Sequence, residues 1–369
     1  MSKPLRRVSF PHMGNLYLGM RALAKRMGFA LIEAPRPNKA ALELGSKYSP
    51  EFACLPLKVN VGTFIQALEK GADTLIQAGG TGPCRFGYYG EVQRRILEDL
   101  GYDFEMIIIE APDNGDWSAF AGRIRALGGE DLTWLQLADA FQFAYAKLSA
   151  ADYLEELSFK IRPRELTPGA TTKALAKALK LVDKAQTRKA LKQARREGEA
   201  LLEAIPQRKD YTPPRVLIVG EIYVVLEPFV NMDTAVKLGE LGLEVERRLW
   251  ISEWVREHLL LGPLGLAGRK VRTAAAPLLG YFVGGEGLES VGNSVLAARE
   301  GVDGIVHLLP FTCMPETVAG SALDKLQQIY STPLLRLIFD EQTGEAGVHT
   351  RLEAFADLLK RKARLHKAG

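Results

Sequence analysis

The chain has 369 residues, of which 47% are hydrophobic and 25% are charged, and its formal net charge is +4, as is ordinary for a soluble globular protein. Its longest apolar stretches, such as Leu259–Ala267, are short and broken by Gly and Pro, which excludes a bilayer-spanning helix and gives no reason to expect a membrane partner. The length exceeds what one hydrophobic core usually serves, so we expect two α/β lobes and a helical accessory region.

The N-terminus and the cysteines indicate the compartment. Residues Met1–Arg7 are basic, but Pro11, His12 and Asn15 interrupt the apolar stretch that follows, so we expect no signal peptide and a cytoplasmic location. The chain has three cysteines, which cannot all pair within it. In a reducing compartment they are better interpreted as metal ligands or reactive thiols than as disulfides.

Residues 1–130 predict an N-terminal α/β lobe. Strands and helices alternate there, which favours a parallel sheet wrapped by helices. The predicted strands are Leu5–Phe10, Phe29–Ala34, Thr74–Ala78 and Phe104–Glu110, and the predicted helices are a segment ending near Met27, Val59–Lys70 and Tyr88–Leu100.

Residues 131–212 lack the apolar runs typical of strands, so we expect them to form a helical insert. Its segment Thr171–Asp210 holds eleven Lys or Arg against five Asp or Glu. The predicted helix there has an apolar face, formed by Leu175, Leu179 and Val182, and a basic face formed by lysines. This basic face is either an ordinary solvated surface or a docking surface for an acidic partner or for substrate phosphates. No aromatic residues are interleaved with the charges, so we expect no nucleic-acid partner.

Pro213 and Pro214 mark the start of a C-terminal α/β lobe, residues 213–369, which repeats the alternation of the first. The predicted fold class is therefore α/β, with two doubly wound flavodoxin- or Rossmann-like lobes joined by a helical insert. The predicted strands are Arg215–Val219, Val245–Trp250, Gly304–Leu309 and Leu334–Phe339, and the predicted helices are a segment ending at Leu241, Glu316–Tyr330 and Arg351–Leu365.

The three cysteines, Cys54, Cys84 and Cys313, all lie in loops that precede predicted helices. Cys84 and Cys313 also follow a predicted strand, and the ligands of open parallel sheets gather beyond the carboxyl ends of the strands. The partial positive charge of a helix N-terminus favours a thiolate. If the two lobes face each other, the three thiolates converge in the cleft between them.

Three thiolates around one centre suit either a zinc site completed by histidine or an iron–sulfur cluster with one iron that lacks a protein thiolate. The chain has no C-x-x-C spacing, and ordinary buried cysteines are the general expectation. The Pro and Gly residues around each cysteine favour the cluster, because such loops leave backbone N–H groups available to inorganic sulfide.

Four segments around these loops resemble the 2-hydroxyacyl-CoA dehydratase superfamily, in particular the branch labelled CoA-enzyme activase-related or dehydratase D-component-like. The four segments are Pro11–Asn15, Glu51–Lys58, Gly82–Tyr89 and Pro310–Glu316. Two C-terminal segments, Phe339–Gly344 and Thr350–Phe355, are similar to that branch as well. The resemblance runs from about residue 6 to residue 360 and is weakest in the basic helical insert.

The resemblance implies a 4Fe-4S cluster bound by Cys54, Cys84 and Cys313 in a cleft between the lobes. It also implies a partner ATPase that carries its own iron–sulfur cluster and delivers low-potential electrons. The chain shows no phosphate-binding P-loop motif, so it resembles the electron acceptor. A related subunit usually completes such dehydratases, so we expect a homo- or heterodimer. A double-cubane cluster, as in some relatives, would need ligands shared across a subunit interface.

Four further residues are candidate catalytic groups. His12 is an acid–base group, a fourth ligand or a loop histidine bonded to backbone. Lys58 and Arg85 lie close in sequence to predicted ligands, where they offset the negative charge of a cluster, contact a substrate carbonyl or are simply solvated. Glu221 follows a predicted strand and is a base, an iron ligand or a group that serves only the helix dipole.

Other polar residues are ambiguous in the same way. Glu227 and Glu316 lie near predicted helix starts, and His307 lies inside an apolar strand, as expected of a satisfied core histidine. The loops Gly79–Gly82 and Gly284–Gly287 are glycine-rich enough to cradle phosphate, but neither matches the dinucleotide fingerprint.

Three functional hypotheses follow. The first is an oxygen-sensitive enzyme component that accepts electrons from the ATP-dependent activator and uses them at an open iron for reductive or dehydratase-type chemistry on a small molecule or an acyl-CoA. The second is a non-enzymatic electron-transfer or assembly subunit. The third is a zinc-stabilised binding protein with no redox role.

Overall fold

The chain divides into two compact units, each built around one parallel sheet. The first unit comprises residues 1–148 and 252–267, and the second comprises residues 149–251 and 268–369. The computed structural model describes residues 5–80, 82–110, 132–261 and 268–368, together with residues 122, 124, 125 and 127. The predicted domain boundary between residues 130 and 131 lies outside the described residues.

The sheet of the first unit has four parallel strands in the order β2-β1-β3-β4. Val8 of β1 is paired with Leu31 on one side and Thr74 on the other, so β1 and β3 are the inner strands. The four strands are β1 (Arg7–Ser9), β2 (Ala30–Leu31), β3 (Thr74–Ala78) and β4 (Glu105–Ile109). The predicted alternation is confirmed, although β1 and β2 are shorter than predicted.

A helix that the sequence pattern did not indicate, Lys39–Tyr48, packs across the helix Leu55–Glu69. A Cβ atom on Gly45 would lie 1.6 Å from the Lys58 carbonyl oxygen, and one on Gly62 would lie 1.7 Å from the Ala41 carbonyl oxygen. Only glycine permits the two backbones to approach so closely. This crossing fixes the loop between the two helices, which contains Cys54.

The remaining helices of the first unit flank its sheet or lead out of it. A single turn of 3₁₀-helix precedes the helix that follows β3. The long helix Trp134–Ile161 begins in the first unit and ends in the second. Besides the two crossing helices, the described helical segments are Leu16–Met27, the 3₁₀ turn Arg85–Tyr88, Tyr89–Asp99, Trp134–Ile161 and the π-helical turn Arg256–Leu261.

The sheet of the second unit repeats the first, with four parallel strands in the order β6-β5-β7-β8. Every residue of β7 is buried, as expected of an inner strand covered on both faces. The four strands are β5 (Arg215–Gly220), β6 (Glu244–Arg247), β7 (Gly304–Pro310) and β8 (Leu334–Phe339). The α/β class with two parallel sheets is therefore confirmed.

The helix predicted to end at Leu241 is broken into three short helices. Pro228 starts the second of them, and Met232 and Asp233 adopt left-handed backbone conformations that end it. The predicted all-helical segment contains a hairpin of two helices, Ala170–Lys184 and Arg188–Glu203. The other helical segments of this unit are the 3₁₀ turn Arg162–Arg164, Ile222–Leu226, Pro228–Asn231, Thr234–Glu240, Arg269–Ala275, Gly287–Arg299, Met314–Tyr330 and Glu345–Ala368. The short helix Ile251–Val255 begins in this unit, and its residues 252–255 belong to the first.

Each unit has its own hydrophobic core. Phe64 and Leu75 are fully buried in the first, and Leu217 and Ile305 are fully buried in the second. Among the helices of the described residues, none combines the length and the apolar character that a membrane crossing requires.

Candidate cysteine site

Both sheets have the strand order of a flavodoxin-like fold, in which a ligand crevice opens where two neighbouring inner strands send their connections in opposite directions. In the first unit this switch point lies between β1 and β3, which are followed by the loops of His12 and Cys84. In the second unit it lies between β5 and β7, which are followed by Glu221 and Cys313. Four of the predicted site residues therefore lie in loops at switch points.

Cys54 and Cys313 begin their helices in the same way. Each is an N-cap residue with extended backbone, and proline is the second residue of each helix. Two residues before each cysteine lies an exposed phenylalanine, Phe52 with 67% and Phe311 with 60% of its surface accessible. The motif Phe-x-Cys-x-Pro therefore occurs in both units, and in both the cysteine has extended backbone and directly precedes a helix.

Cys84 is also an N-cap residue, at the start of the 3₁₀ turn Arg85–Tyr88. Ser, Thr, Asp and Asn are the side chains that usually cap helices, because their oxygens accept hydrogen bonds from the first backbone N–H groups. None of the three cysteine sulfurs makes such a cap bond, and none of the three is in a disulfide. Helix capping therefore does not explain the cysteines.

Two hydrogen bonds hold the Cys84 loop against the Cys54 loop. The Nη1 atom of Arg85 donates to the carbonyl oxygen of Phe52 at 2.8 Å. The hydroxyl of Tyr89, in the helix that follows Cys84, is hydrogen-bonded to the Sγ atom of Cys54. The loops of two predicted ligands, 30 positions apart in sequence, are therefore neighbours in the first unit.

Lys58 and Arg85 both support the backbone that leads into Cys54. Lys58 is only 3% exposed, and its ammonium group donates to the carbonyl oxygen of Glu51 at 3.1 Å. Arg85 is half-buried and donates to Phe52, as described above. A buried ammonium group one helical turn after Cys54 favours negative charge in its surroundings, since burial weakens the screening of charge by water.

In the second unit, the loop before Cys313 is strained. Thr312 adopts a left-handed conformation with a φ of 66°, which is rare for a β-branched residue. Such strain costs about 1–3 kcal/mol and tends to occur at functional sites. The loop is held by bonds from Phe311 N–H to the Phe339 carbonyl at 2.7 Å and from Cys313 N–H to the Pro310 carbonyl at 3.1 Å.

The glycine loop of the second unit packs on the helix turn that Cys313 caps. A Cβ atom on Gly287 would lie 2.7 Å from the carbonyl oxygen of Pro315, so a side chain there would push the two segments apart. The predicted phosphate cradle Gly284–Gly287 thus has a second explanation in close backbone packing. In the first unit, Thr81 of the loop Gly79–Gly82 lies outside the described residues.

A buried polar network lies beneath the Cys313 turn. The Glu316 carboxylate accepts hydrogen bonds from His307 Nε2 at 2.8 Å and from Ser290 Oγ at 3.2 Å. The Nε atom of Arg336 lies 3.4 Å from His307 Nδ1. Because a guanidinium group can only donate, Nδ1 accepts and the imidazole proton is on Nε2. His307 is therefore the satisfied core histidine that the sequence predicted.

Two further carboxyl groups of the second unit, those of Glu221 and Glu286, have raised pKa values. Burial raises the pKa of Glu221 to about 7, and the negative charge of Glu316 adds to the effect. Burial also raises the pKa of Glu286 well above its usual range, and Glu221, Glu289 and Glu316 raise it further. Glu221 still caps its short helix by accepting from Val224 N–H at 2.9 Å. These carboxyl groups can therefore hold protons near neutral pH.

His12 is bonded to backbone, which is one of the three alternatives that the sequence left open. Its Nε2 atom lies 2.8 Å from the carbonyl oxygen of Ala34, so the ring proton is on Nε2. Burial lowers the pKa of His12 below its ordinary value of 6.5, against the opposing effect of this hydrogen bond. The imidazole is therefore neutral at physiological pH and donates through Nε2.

The described residues do not form a site for a single metal ion. Across residues 5–80, 82–110, 132–261 and 268–368, no three Cys, His, Asp or Glu side chains are grouped to hold one. Cys54 and Cys84 belong to the first unit and Cys313 to the second. The convergence of all three cysteines therefore stays a prediction.

A cavity beside the edge strand of the second sheet is lined by paired charges. It has a volume of about 360 Å³ and lies along β6 and the start of β5. Arg215 and Arg248 in its wall bind Glu246 at 3.1 and 2.5 Å. These ion pairs leave little attraction for a charged ligand, so the carboxyl edges of the sheets remain the better candidate.

The sequence did not reveal three features of the site: the Tyr89–Cys54 contact, the perturbed pKa of Glu286 and the bond between His307 and Glu316. The last had a local signal, because Glu316 lies one turn into the helix that Cys313 caps. The other two arise from contacts between distant segments.

No protein-family model matches the chain, and no curated protein matches it either. The resemblance to the dehydratase superfamily therefore rests on the motifs of this chain, and its functional consequences belong to the proposal that follows.

Proposed function

We propose that the chain binds one 4Fe-4S cluster through Cys54, Cys84 and Cys313, with one iron left open to substrate. It would accept low-potential electrons from an ATP-dependent activator that carries its own iron–sulfur cluster. The chemistry would be a reduction or a dehydratase-type elimination on a small molecule or an acyl-CoA. The cluster would lie in the cleft between the two lobes.

The observation that carries this proposal is the shared placement of the cysteines. All three are N-cap residues that make no cap bond, and Cys84 and Cys313 lie in loops at the switch points of two similar sheets. The Cys54 and Cys84 loops are held together by two hydrogen bonds, one from Arg85 to the Phe52 carbonyl and one between the Tyr89 hydroxyl and the Cys54 sulfur. A cubane has several irons, each with its own thiolate, so its ligands need not crowd around one ion.

The first unit supplies suitable electrostatics. The amide groups at the two helix starts that follow Cys54 and Cys84, and the buried ammonium of Lys58, favour the net negative charge of a thiolate-bound cluster. When bound, such a cluster would supply a single electron to the substrate at its open iron.

The second unit supplies groups that can move protons. Burial keeps the carboxyl groups of Glu221 and Glu286 protonated to a higher pH than usual. Glu221 directly follows β5, at the switch point beside the Cys313 loop. Elimination of water or reduction of a carbonyl each requires a proton donor, and we assign that role to Glu221.

Anaerobic purification tests the cluster. We expect a brown protein with about four irons and four sulfides per chain, the content of one cubane. Cys84→Ser should lower the iron content strongly, whereas Met314→Leu, a change beside Cys313 that removes no thiolate, should leave it unchanged. A colourless wild-type protein with zinc and no iron would refute the proposal.

A second candidate is an electron-transfer subunit whose cluster contacts or is shared with a second subunit. The exposed aromatic side chains beside the cysteines, Phe52, Tyr88 and Phe311, favour it, since exposed apolar groups often mark a surface that a partner covers. Iron per chain and the mass of the native complex distinguish a single cubane from a double cubane shared by two chains. Turnover with acyl-CoA substrates would identify an enzyme.

A further inference from the structure

Tyr89 is fixed beside Cys54 by the way its helix begins. A Cβ atom on Gly87 would lie 2.5 Å from the carbonyl oxygen of Gly80, and one on Gly90 would lie 2.6 Å from Ile108 Cδ1. The backbone on both sides of Tyr89 therefore lies directly against neighbouring segments. The phenol ring between these glycines is only 4% exposed, so its hydroxyl has a defined position.

The ring of Tyr89 also has a packing partner that sets its direction. The Phe86 ring lies against it in a tilted arrangement, with 5.4 Å between the ring centroids. The adjacent Tyr88 has a different environment, with 72% of its surface exposed. Two neighbouring tyrosines thus differ in burial, and it is the Tyr89 hydroxyl that reaches the Cys54 sulfur.

The chemistry of the contact determines which atom donates. A thiolate has no hydrogen, so a Cys54 thiolate can only accept, and the phenol O–H is the donor. Hydrogen bonds to the sulfurs of a cluster are among the features that set its reduction potential, because they stabilise the more negative reduced state. The groups that hold a metal ligand in place are as much part of a site as the ligands.

We propose that Tyr89 is a positioning residue that donates a hydrogen bond to the Cys54 thiolate and raises the reduction potential of the bound cluster. The effect on the reduction potential rests on the proposed function, because it requires the cluster. The hydrogen bond between Tyr89 and Cys54 does not depend on that function. Arg85 assists by holding the Phe52 carbonyl, two residues before Cys54.

Tyr89→Phe removes one hydroxyl and keeps the ring, and Tyr88→Phe is the matched control one residue away. In the cluster-loaded protein, we expect Tyr89→Phe to shift the reduction potential to a more negative value at unchanged iron content, while Tyr88→Phe gives the wild-type potential. Equal potentials for wild type and Tyr89→Phe would overturn the proposal, and so would equal shifts in both variants.

A second measurement does not require the cluster. In the reduced protein without iron, the rate of Cys54 alkylation at fixed pH, followed by mass spectrometry, should fall severalfold in Tyr89→Phe, because the thiolate loses a donor. The Cys84 rate should stay within twofold. If the wild-type protein binds no iron, the proposed function fails, but the alkylation rate still tests the hydrogen bond from Tyr89. A Cys54 alkylation rate that is unchanged in Tyr89→Phe would refute that hydrogen bond.

Discussion

Removal of the buried carboxyl group of Glu316 should destabilise the second unit by several kcal/mol. It is fully buried and accepts hydrogen bonds from His307 and Ser290. Glu316→Ala leaves both donors in the core without this acceptor, and each buried donor left without a partner costs about 1–3 kcal/mol. Glu316→Gln keeps an acceptor for the imidazole and adds a donor for the Ser290 hydroxyl, so it should cost about 1–2 kcal/mol.

Native-state hydrogen exchange of peptides from β7 measures this difference in the intact chain. β7 is buried along its whole length, so its amides should exchange mainly when the unit opens as a whole. Each 1.4 kcal/mol corresponds to about a tenfold change in the opening equilibrium. Exchange should therefore be roughly 10²- to 10³-fold faster in Glu316→Ala and about tenfold faster in Glu316→Gln.

Glu156→Gln is the control. Glu156 belongs to the same unit and forms an exposed ion pair with Lys160, one turn further along its own helix. Such pairs contribute about 0.3–0.5 kcal/mol, so exchange in β7 should change less than about threefold. Equal rates in Glu316→Ala and Glu316→Gln would show that the hydrogen bonds of this carboxylate do not stabilise the core.

Three further predictions concern the site. Because the folded pKa of Glu221 is about 7 against an ordinary 4.5, the folded state binds its proton more tightly, and stability should fall as pH rises from about 4.5 through 7. The free energy of unfolding, measured with denaturant, should fall by up to about 3 kcal/mol more in the wild type than in Glu221→Gln over this pH range. A difference between the two proteins that does not vary with pH would contradict this prediction. Gly287→Ala should displace the Pro315 turn and cost about 1–3 kcal/mol in the same assay, whereas Gly344→Ala, at a glycine with open space around it, should cost much less. Lys58→Met should make the potential of any cluster held by Cys54 more negative, because a buried cation favours the reduced state; an unchanged potential would remove Lys58 from the site.

The sequence predicted elements whose signal is local. β3 and β8 have the predicted bounds, because short runs of β-branched and apolar residues define them. The helix Leu55–Glu69 begins four residues before the predicted start at Val59, at a position where Pro56 suits a first helical turn.

Elements that depend on contacts between distant segments were not predicted. The helix Lys39–Tyr48 is held by the close crossing at Gly45 and Gly62, and a single glycine inside a helix gives no such indication in a sequence. The acidity of Glu286 likewise depends on burial and on three other carboxyl groups that come together only in the folded unit.

The N-cap position of the cysteines separates a functional role from a structural one. Serine is a better N-cap than residues that make no cap bond, so Cys54→Ser and Cys313→Ser should leave the stability of the iron-free protein unchanged or raise it by up to about 1 kcal/mol. A ligand role predicts that the same substitutions lower iron content severely. Denaturant unfolding without iron and iron analysis after anaerobic reconstitution measure the two effects separately. If the cysteines only pack, serine should destabilise the fold, most at the buried Cys313, and should leave iron binding as it was.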